Sequence, residues 1–555
     1  MNDPVYFVCK YTPVELLAGF SLPCERLDPA PSAFSCADVC GHPNLCGFGK
    51  AVLEEVLGKG IRRLLLVDCC DVCRRIYDIL LARGGMDFLY LLPLPHKQGP
   101  AERKIFARDL ERLRDALAAW SGVSFRPDLA LAAWKTAATS AEAASAEASS
   151  PHITLTGAHG GSLLLRAARE KSALPVMDQT CTGVRNLSPC PDRMPEDFLA
   201  AYAAALLGQS PACMRMQFRE EVPDPGAAGI ICHTVKFCDY YGFQYARLRK
   251  SAAPPVLKIE TDCTPQSSGQ LATRLEAFSE TLGVRSIHMS VKTAARFVAG
   301  VDSGSASTDA VILDTRGSVV GAAVLPTGAG ASAGADRALE AALREAGIPR
   351  GDLGTVVTTG YGRDHIAGGN ASVTEITCHA RGAHHLLPAA RTVIDIGGQD
   401  SKVIRLDENG RVVNFVMNDK CAAGTGRFLE LMARTLEMTL PEMSEKGLRW
   451  NKPVTISSMC TVFAESEVVS LIAGNADPAD IIHGLNMAVA NKTASLVSRL
   501  GGQPAYVMTG GVAMNRGVVQ ALEEKLKAEI VVPREAQLCG ALGAALFALD
   551  AEKEK

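Results

Sequence analysis

The sequence predicts an α/β protein with two lobes of alternating strands and helices up to about residue 290, followed by an internally duplicated domain. Three observations carry this prediction. Short apolar runs bounded by charge or turn residues alternate with helical patterns through the first half. From Phe297 the punctuation changes to apolar strand, tight Gly/Ser turn, apolar strand, and the same pattern recurs about ninety residues later. The 555 residues also exceed what one core fills, at about 100–200 residues per domain.

In the first lobe, residues 1–150, the run 64–67 reads as a strand, 74–82 as a helix and 87–92 as a strand. An Ala/Ser-rich stretch over 137–150 reads as a linker or weak helix. The second lobe, 151–290, opens on His152-Ile-Thr-Leu-Thr-Gly and continues with a strand over 230–233 and helices over 240–249 and 270–282. In the third domain, 297–555, the first hairpin turns at Asp302-Ser303-Gly304-Ser305 and the second at Asp395-Ile-Gly397-Gly398-Gln399. A third Gly-rich turn, Thr509-Gly510-Gly511 through Asn515, follows a strand and opens a helix.

Composition excludes several classes. Fifty-seven basic against 60 acidic residues leave a net charge of -3, and no Lys/Arg run marks a nucleic-acid footprint. No window approaches about 20 apolar residues, so no membrane span is expected. The N-terminus lacks a basic start followed by an apolar stretch, which leads us to expect a cytoplasmic protein. Disulfides are rare in that compartment, so 18 cysteines call for another chemistry.

Both hairpin turns offer backbone N–H groups where a phosphate could approach closely, and each carries an aspartate suited to a metal or to water. Asp302 and Asp395 would position a Mg2+-bound water and phosphate, Lys402 would offset phosphate charge, and Gly510 and Gly511 would back an adenosine. These segments resemble the phosphate-1, phosphate-2 and adenosine motifs of the superfamily that includes acetate kinase, the heat-shock chaperone ATPases and actin (ASKHA), with its duplicated ribonuclease-H-like fold. The segments Asn418-Asp-Lys-Cys421-Ala-Ala-Gly and Ser458-Met-Cys460-Thr-Val-Phe-Ala-Glu465 place the resemblance in the branch of activators of 2-hydroxyacyl-CoA dehydratases and benzoyl-CoA reductases.

The resemblance implies ATP/ADP and Mg2+ held by Ser303, Gly304, Ser305, Gly397, Gly398, Gln399, Lys402, Gly510, Gly511 and Asn515, with Asp302, Asp395 and Glu465 catalytic. It also implies that Cys421 and Cys460 ligate a 4Fe-4S cluster bridging a homodimer, since two thiolates per chain need a second chain to reach four. A ferredoxin or flavodoxin would be the electron donor. His379, His384 and His385 stay unassigned, and Cys378 and Cys539 read as packing residues.

Fourteen of the cysteines precede residue 270. Cys36, Cys40 and Cys46 form a loop-like cluster, whereas Cys69, Cys70, Cys73, Cys181 and Cys238 follow apolar strands, where α/β folds place ligands. No paired Cys-x2-Cys spacing of a zinc ribbon is present, so an iron–sulfur site enclosed between the lobes is the better reading. This half resembles the cluster-bearing subunit of 2-hydroxyacyl-CoA dehydratases over roughly residues 5–285, through Cys24-Glu-Arg, Cys70-Asp71, Cys181-Thr-Gly-Val-Arg185, Cys238-Asp239 and Glu260-Thr-Asp262.

The resemblance implies either one 4Fe-4S cluster or the double cubane (8Fe-9S) of double-cubane cluster proteins. The six ligands of the latter would be Cys36, Cys40, Cys46, Cys70, Cys181 and Cys238, with Cys73 competing for the place of Cys40. Cys9, Cys24, Cys190, Cys213, Cys232 and Cys263 read as packing residues. The functional expectation is ATP-dependent low-potential electron transfer from the shared cluster to the N-terminal one, which reduces a small substrate or serves a separate dehydratase or reductase. Its rivals are a small-molecule kinase with incidental cysteines and a non-catalytic cluster scaffold or redox sensor.

Overall fold

The computed structural model describes residues 3–147, 151–187, 189–209, 212–216, 226–250, 254–265, 268–283, 296–328, 330–366, 368–418, 422–456 and 461–553. The chain divides into two compact units, Met1–Leu275 and Glu276–Lys555. Among the described residues no helix is long and apolar enough to cross a membrane.

The first unit holds two four-stranded parallel sheets. One contains β1 (Val5–Phe7), β2 (Cys24–Arg26), β3 (Arg63–Val67) and β4 (Phe88–Leu92) in the order β2-β1-β3-β4. The other contains β5 (His152–Gly157), β6 (Val176–Thr180), β7 (Ala227–Val235) and β8 (Val256–Thr261) in the order β6-β5-β7-β8. Leu64 to Val67 of β3 are four consecutive buried apolar residues, the pattern of a parallel strand covered on both faces. As far as Glu147 the Ala/Ser-rich stretch belongs to the helix Pro127–Glu147, as alanine's helix propensity favours. Topology then decides where the thiols go. Cys9, Cys69 and Cys70, Cys181, and Cys238 follow the carboxyl ends of β1, β3, β6 and β7, and helices Asp71–Arg83 and Asp239–Leu248 start directly after Cys70 and Cys238.

The second unit shows its duplication in strand order. β9 (Phe297–Ser303), β10 (Ser307–Asp314), β11 (Val319–Pro326), β12 (Leu353–Thr359) and β13 (Ala371–Ser372) form the sheet β11-β10-β9-β12-β13. β14 (Thr392–Ile396), β15 (Ser401–Leu406), β16 (Val412–Asn418), β17 (Tyr506–Thr509) and β18 (Ile530–Val531) repeat it as β16-β15-β14-β17-β18. Each copy is an antiparallel three-stranded meander with two parallel strands added.

Helices Glu375–Leu386 and Cys539–Lys553 pack against each other at close range. A Cβ on Gly382 would clash with the Cys539 carbonyl, and one on Gly543 with the Cys378 carbonyl, so glycine alone fits at both places. Cys378 and Cys539 are fully buried at this crossing, in the packing role their sequence context suggested.

Candidate functional site

The second unit has a cleft of about 730 Å³ between its two copies. Asp302 is the penultimate residue of β9 and Asp395 that of β14, equivalent positions of the two sheets. The cross-strand partner of Asp302 is Asp309, whereas that of Asp395 is Lys402. The turns face each other: a Cβ on Gly398 would lie 2.8 Å from the Ala306 Cβ and 3.1 Å from Ser305 Oγ. Gly510, at φ +83°, passes so close to Ile396 and Asp395 that a Cβ would lie 2.6 Å from the Ile396 carbonyl oxygen. Asn515 caps the helix Arg516–Leu526 by accepting from the Val518 N–H at 3.2 Å.

Lys402 is buried among three carboxylates. Its Nζ lies 2.8 Å from Asp400, 3.2 Å from Asp395 and 3.4 Å from Glu375. Burial alone would push the ammonium's pKa down, but Asp400, Glu375 and Asp395 outweigh it and hold the pKa well above the ordinary lysine value. Burial likewise pushes Asp395 up, yet His379 and Lys402, with hydrogen bonds from Thr509 and Lys402, bring it below the usual carboxylate value. Burial raises Asp302, and it pushes Asp309 and Glu375 up to about 8. His379 stands between the halves, with Nδ1 3.4 Å from Asp395 Oδ1 and Nε2 3.7 Å from Asp302 Oδ2.

The cleft is lined by seven acidic side chains against one lysine and one histidine, an acidic excess that favours a phosphate chain arriving with a cation. Hard carboxylate oxygens suit magnesium, so the donor set fits a nucleotide–Mg2+ ligand.

Of the nucleotide residues expected from sequence, Asp302, Gly304, Ser305, Asp395, Gly397, Gly398, Lys402, Gly510, Gly511 and Asn515 line this cleft. Ser303 is buried beside it with its hydroxyl unpartnered among the described residues, and Gln399 is exposed. Glu465 lies outside the lining, on helix Thr461–Ala473, where its carboxylate is 3.5 Å from Thr435 Oγ1. Sequence reasoning left out His379, Glu375, Asp400 and Asp309. Glu375 and His379 stand four residues apart on one helix, a spacing that puts both on one face and is visible in the sequence. Lys402, expected to offset phosphate charge, is 3% exposed.

The first unit encloses a cavity of about 590 Å³ lined by eight cysteines. Cys46, Cys70, Cys181 and Cys238 are four of the six expected ligands. The others are Cys69 and Cys73, joined by Cys9 and Cys213, which sequence context had marked as packing residues. The sulfurs of Cys69 and Cys70 each lie 3.6 Å from that of Cys73, and all three sit within 4.8 Å of one another. Hydrogen bonding from Cys69 and Cys73 holds Cys70 well below the ordinary thiol value. Burial pushes Cys238 up to about 11, Cys46 up to about 12 and Cys181 well above normal, so these thiols ionise only when a cation compensates the charge.

Burial lowers the pKa of Lys10, 1% exposed, and the nearby Cys213, Cys181 and Cys9 oppose that shift only in part. Arg215 lines the cavity and bonds to His96 at 2.9 Å and Tyr240 at 3.1 Å. Soft thiolates with cations nearby are the donor chemistry an anionic iron–sulfur cluster requires.

Cys36 and Cys40 do not line the cavity. The Cys36 N–H donates to Glu54 at 2.7 Å at the start of the short helix Ala37–Cys40, and Cys40 Sγ donates to the Cys36 carbonyl at 3.3 Å. Cys421 and Cys460 lie outside the described residues. Each is followed by a described helix, Gly426–Thr435 and Thr461–Ala473. The latter exposes Val462, Phe463, Val469 and Ile472.

Comparison with known proteins adds to this geometry. Residues 299–548 match the model of the BadF/BadG/BcrA/BcrD ATPase family, and residues 9–144 and 129–282 match that of the 2-hydroxyglutaryl-CoA dehydratase D-component. The chain is 48% identical over 259 residues to the activator of lactoyl-CoA dehydratase of Anaerotignum propionicum, covering 47% of this chain and 100% of that one. It is 46% identical over 253 residues to the (R)-2-hydroxyglutaryl-CoA dehydratase activating ATPase of Acidaminococcus fermentans, covering 45% and 96%. Among solved structures, the activator of 2-hydroxyisocaproyl-CoA dehydratase from Clostridium difficile with bound ADPNP is 46% identical, with a TM-score of 0.45, covering 46% of this chain and 96% of that one.

Proposed function

The chain belongs to the BadF/BadG/BcrA/BcrD ATPase family, and from that premise we propose that it couples ATP hydrolysis to low-potential electron transfer within a homodimer. It is an ATP-hydrolysing activase by family, and its first half is of the dehydratase D-component kind. The observation that carries the proposal is the pairing, in one chain, of a duplicated nucleotide-type cleft with a cavity walled by eight cysteines. A kinase reading leaves that cavity without a purpose.

In this reading Asp302 and Asp395 hold a magnesium ion and orient the attacking water, while Lys402 exchanges some of its carboxylate partners for phosphate oxygens. The opposed turns at Gly304–Ser305 and Gly397–Gly398 close on the phosphates with backbone N–H groups. Gly510 and Gly511 leave room for the adenosine against bare main chain. Cys46, Cys70, Cys181 and Cys238 hold the N-terminal cluster, with Cys73 and Cys69 ahead of Cys36 and Cys40 because they share the cavity. Lys10 and Arg215 offset its negative charge. When bound, iron–sulfur groups supply one-electron storage at a potential set by burial, charge and hydrogen bonding. Cys421 and Cys460 hold the cluster shared by two protomers, and the exposed apolar face of helix Thr461–Ala473 supports a second copy there.

ATP and ADP that differ about 10⁴-fold in preference for two domain arrangements supply about 5.5 kcal/mol. That equals about 240 mV for one electron, at 59 mV per tenfold. The donor is a ferredoxin or flavodoxin, and the acceptor is a small substrate or a separate dehydratase or reductase component.

Anaerobic purification with iron and sulfide quantification tests this. About twelve iron per dimer are expected for one shared cubane plus one per chain, and about twenty for a shared cubane plus a double cubane per chain. Replacing both Cys421 and Cys460 with serine should remove about four iron per dimer and abolish ATP-dependent reduction. If metal content and reduction both survive, the proposal fails.

A further inference from the structure

We infer that His379 is a positioning residue that fixes the spacing of Asp302 and Asp395, and that Glu375 assists it by anchoring Lys402. This rests on the nucleotide reading of the cleft and adds two residues to it. The two aspartates belong to different copies of the duplicated domain, Asp302 to the first sheet and Asp395 to the second. Any change in the angle between the copies alters their separation. One imidazole reaches both, at 3.4 Å from Asp395 Oδ1 and 3.7 Å from Asp302 Oδ2.

The two carboxylates depend on it unequally. Asp395 also receives Thr509 Oγ1 at 3.0 Å and Lys402 Nζ at 3.2 Å. Among the described residues, His379 is the only cationic or potentially cationic side chain within ion-pair distance of Asp302. One helical turn earlier, Glu375 lies 3.4 Å from Lys402, so a single helix face grips a residue from each hairpin.

The surroundings leave this grip little freedom. His379 is 5% exposed, and a Cβ on Gly540 would lie 3.0 Å from its Nε2 and clash with Asp302, so the helix Cys539–Lys553 presses on the contact from behind with only a glycine. The helix Glu375–Leu386 is thereby braced where it meets both aspartates. Partners that orient metal-holding side chains are worth about 10- to 100-fold in metal affinity or activity when removed.

The test compares His379→Ala, His379→Asn, His379→Gln and Glu375→Gln in the full-length chain. Steady-state ATP hydrolysis is measured against ATP and Mg2+, and ADP binding is followed by calorimetry with and without Mg2+. Asparagine's amide overlies Nδ1 and keeps the Asp395 side, whereas glutamine's overlies Nε2 and keeps the Asp302 side. The alanine and asparagine variants should lose about 10- to 100-fold in kcat with the KM for ATP little changed, and they should lose most of the tightening that Mg2+ gives ADP. Glutamine should recover most of both, and Glu375→Gln should fall between.

Wild-type kcat and Mg2+ response in folded alanine and asparagine variants would overturn the inference. So would an equal loss of metal-free and metal-dependent ADP binding, which marks a packing role alone. If the wild-type chain itself binds no nucleotide, the reading of the cleft falls and takes this inference with it.

Discussion

Replacing Lys402 with methionine probes the second unit at its most concentrated charge. Methionine keeps the length and removes the ammonium that now faces Asp400, Asp395 and Glu375 at 2.8, 3.2 and 3.4 Å. All four side chains are under a tenth exposed, so water cannot screen what is left behind. Removing one partner of a buried pair costs about 3–5 kcal/mol, because it is the uncompensated charge that destabilises. At about 2–4 °C per kcal/mol this is a fall of about 6–20 °C in melting temperature.

The pH dependence has a definite sign. Without the ammonium, these carboxylates have folded pKa values above their unfolded ones, so protonation favours the folded state and the deficit grows as pH rises. Glu375, which burial already pushes up to about 8, takes up a proton first on acidification. Calorimetry at pH 8 and pH 6 should therefore show a large deficit that shrinks at the lower pH. A fall of under about 2 °C at pH 8, or a deficit independent of pH, would refute the reasoning.

The remaining predictions concern other parts of the chain. Gly540→Ala places a Cβ against the Asp302 carboxylate, and should cost about 1–3 kcal/mol and abolish ATP hydrolysis while circular dichroism shows the fold retained. His233 is buried, with its ring nitrogens 3.2 Å from the Ala158 carbonyl and 2.9 Å from Thr261 Oγ1. Burial lowers its pKa from 6.5 to about 4, so the stability it confers is present above pH 6.5 and lost as pH falls towards 4. That loss amounts to about 3 kcal/mol at 1.36 kcal/mol per pKa unit, and thermal melts of His233→Gln should lose this slope between pH 6.5 and 4. Cys70→Ser and Cys73→Ser should lower the iron content of anaerobically purified protein, whereas Cys36→Ser and Cys40→Ser should leave it unchanged, because only the first two line the cavity.

What sequence could reveal followed from local chemistry. The run 64–67 falls within β3 and 74–82 within the helix Asp71–Arg83, because four adjacent buried apolar residues and a helical period each have one inexpensive solution. The duplicated hairpins and the Gly510 turn were legible for the same reason: close backbone approach leaves a glycine signature. The convergence of distant residues was not legible. Cys9 obeys the strand-end rule as well as Cys181 does, but β1 is three residues long and gives almost no periodic signal. Cys213 reaches the cavity from outside the regular elements, where no period exists. Cys36 and Cys40 looked like ligands by proximity to Cys46, yet a short helix carries them away from the cavity while Cys46 caps the helix Gly47–Gly58 that borders it.

The divergence of the two copies explains how so acidic a cleft could take a polyphosphate. At one pair of equivalent cross-strand positions the copies differ in charge type, Asp309 in the first and Lys402 in the second. Burial lifts Asp309 and Glu375 to about 8, so near neutral pH both are mostly protonated. Two protonated carboxyls become hydrogen-bond donors, unlike their ionised forms, and so can face phosphate oxygens without repulsion. Neutralising Lys402 should do more harm than neutralising any one of its partners, because its ammonium is shared by Asp400, Asp395 and Glu375 at once.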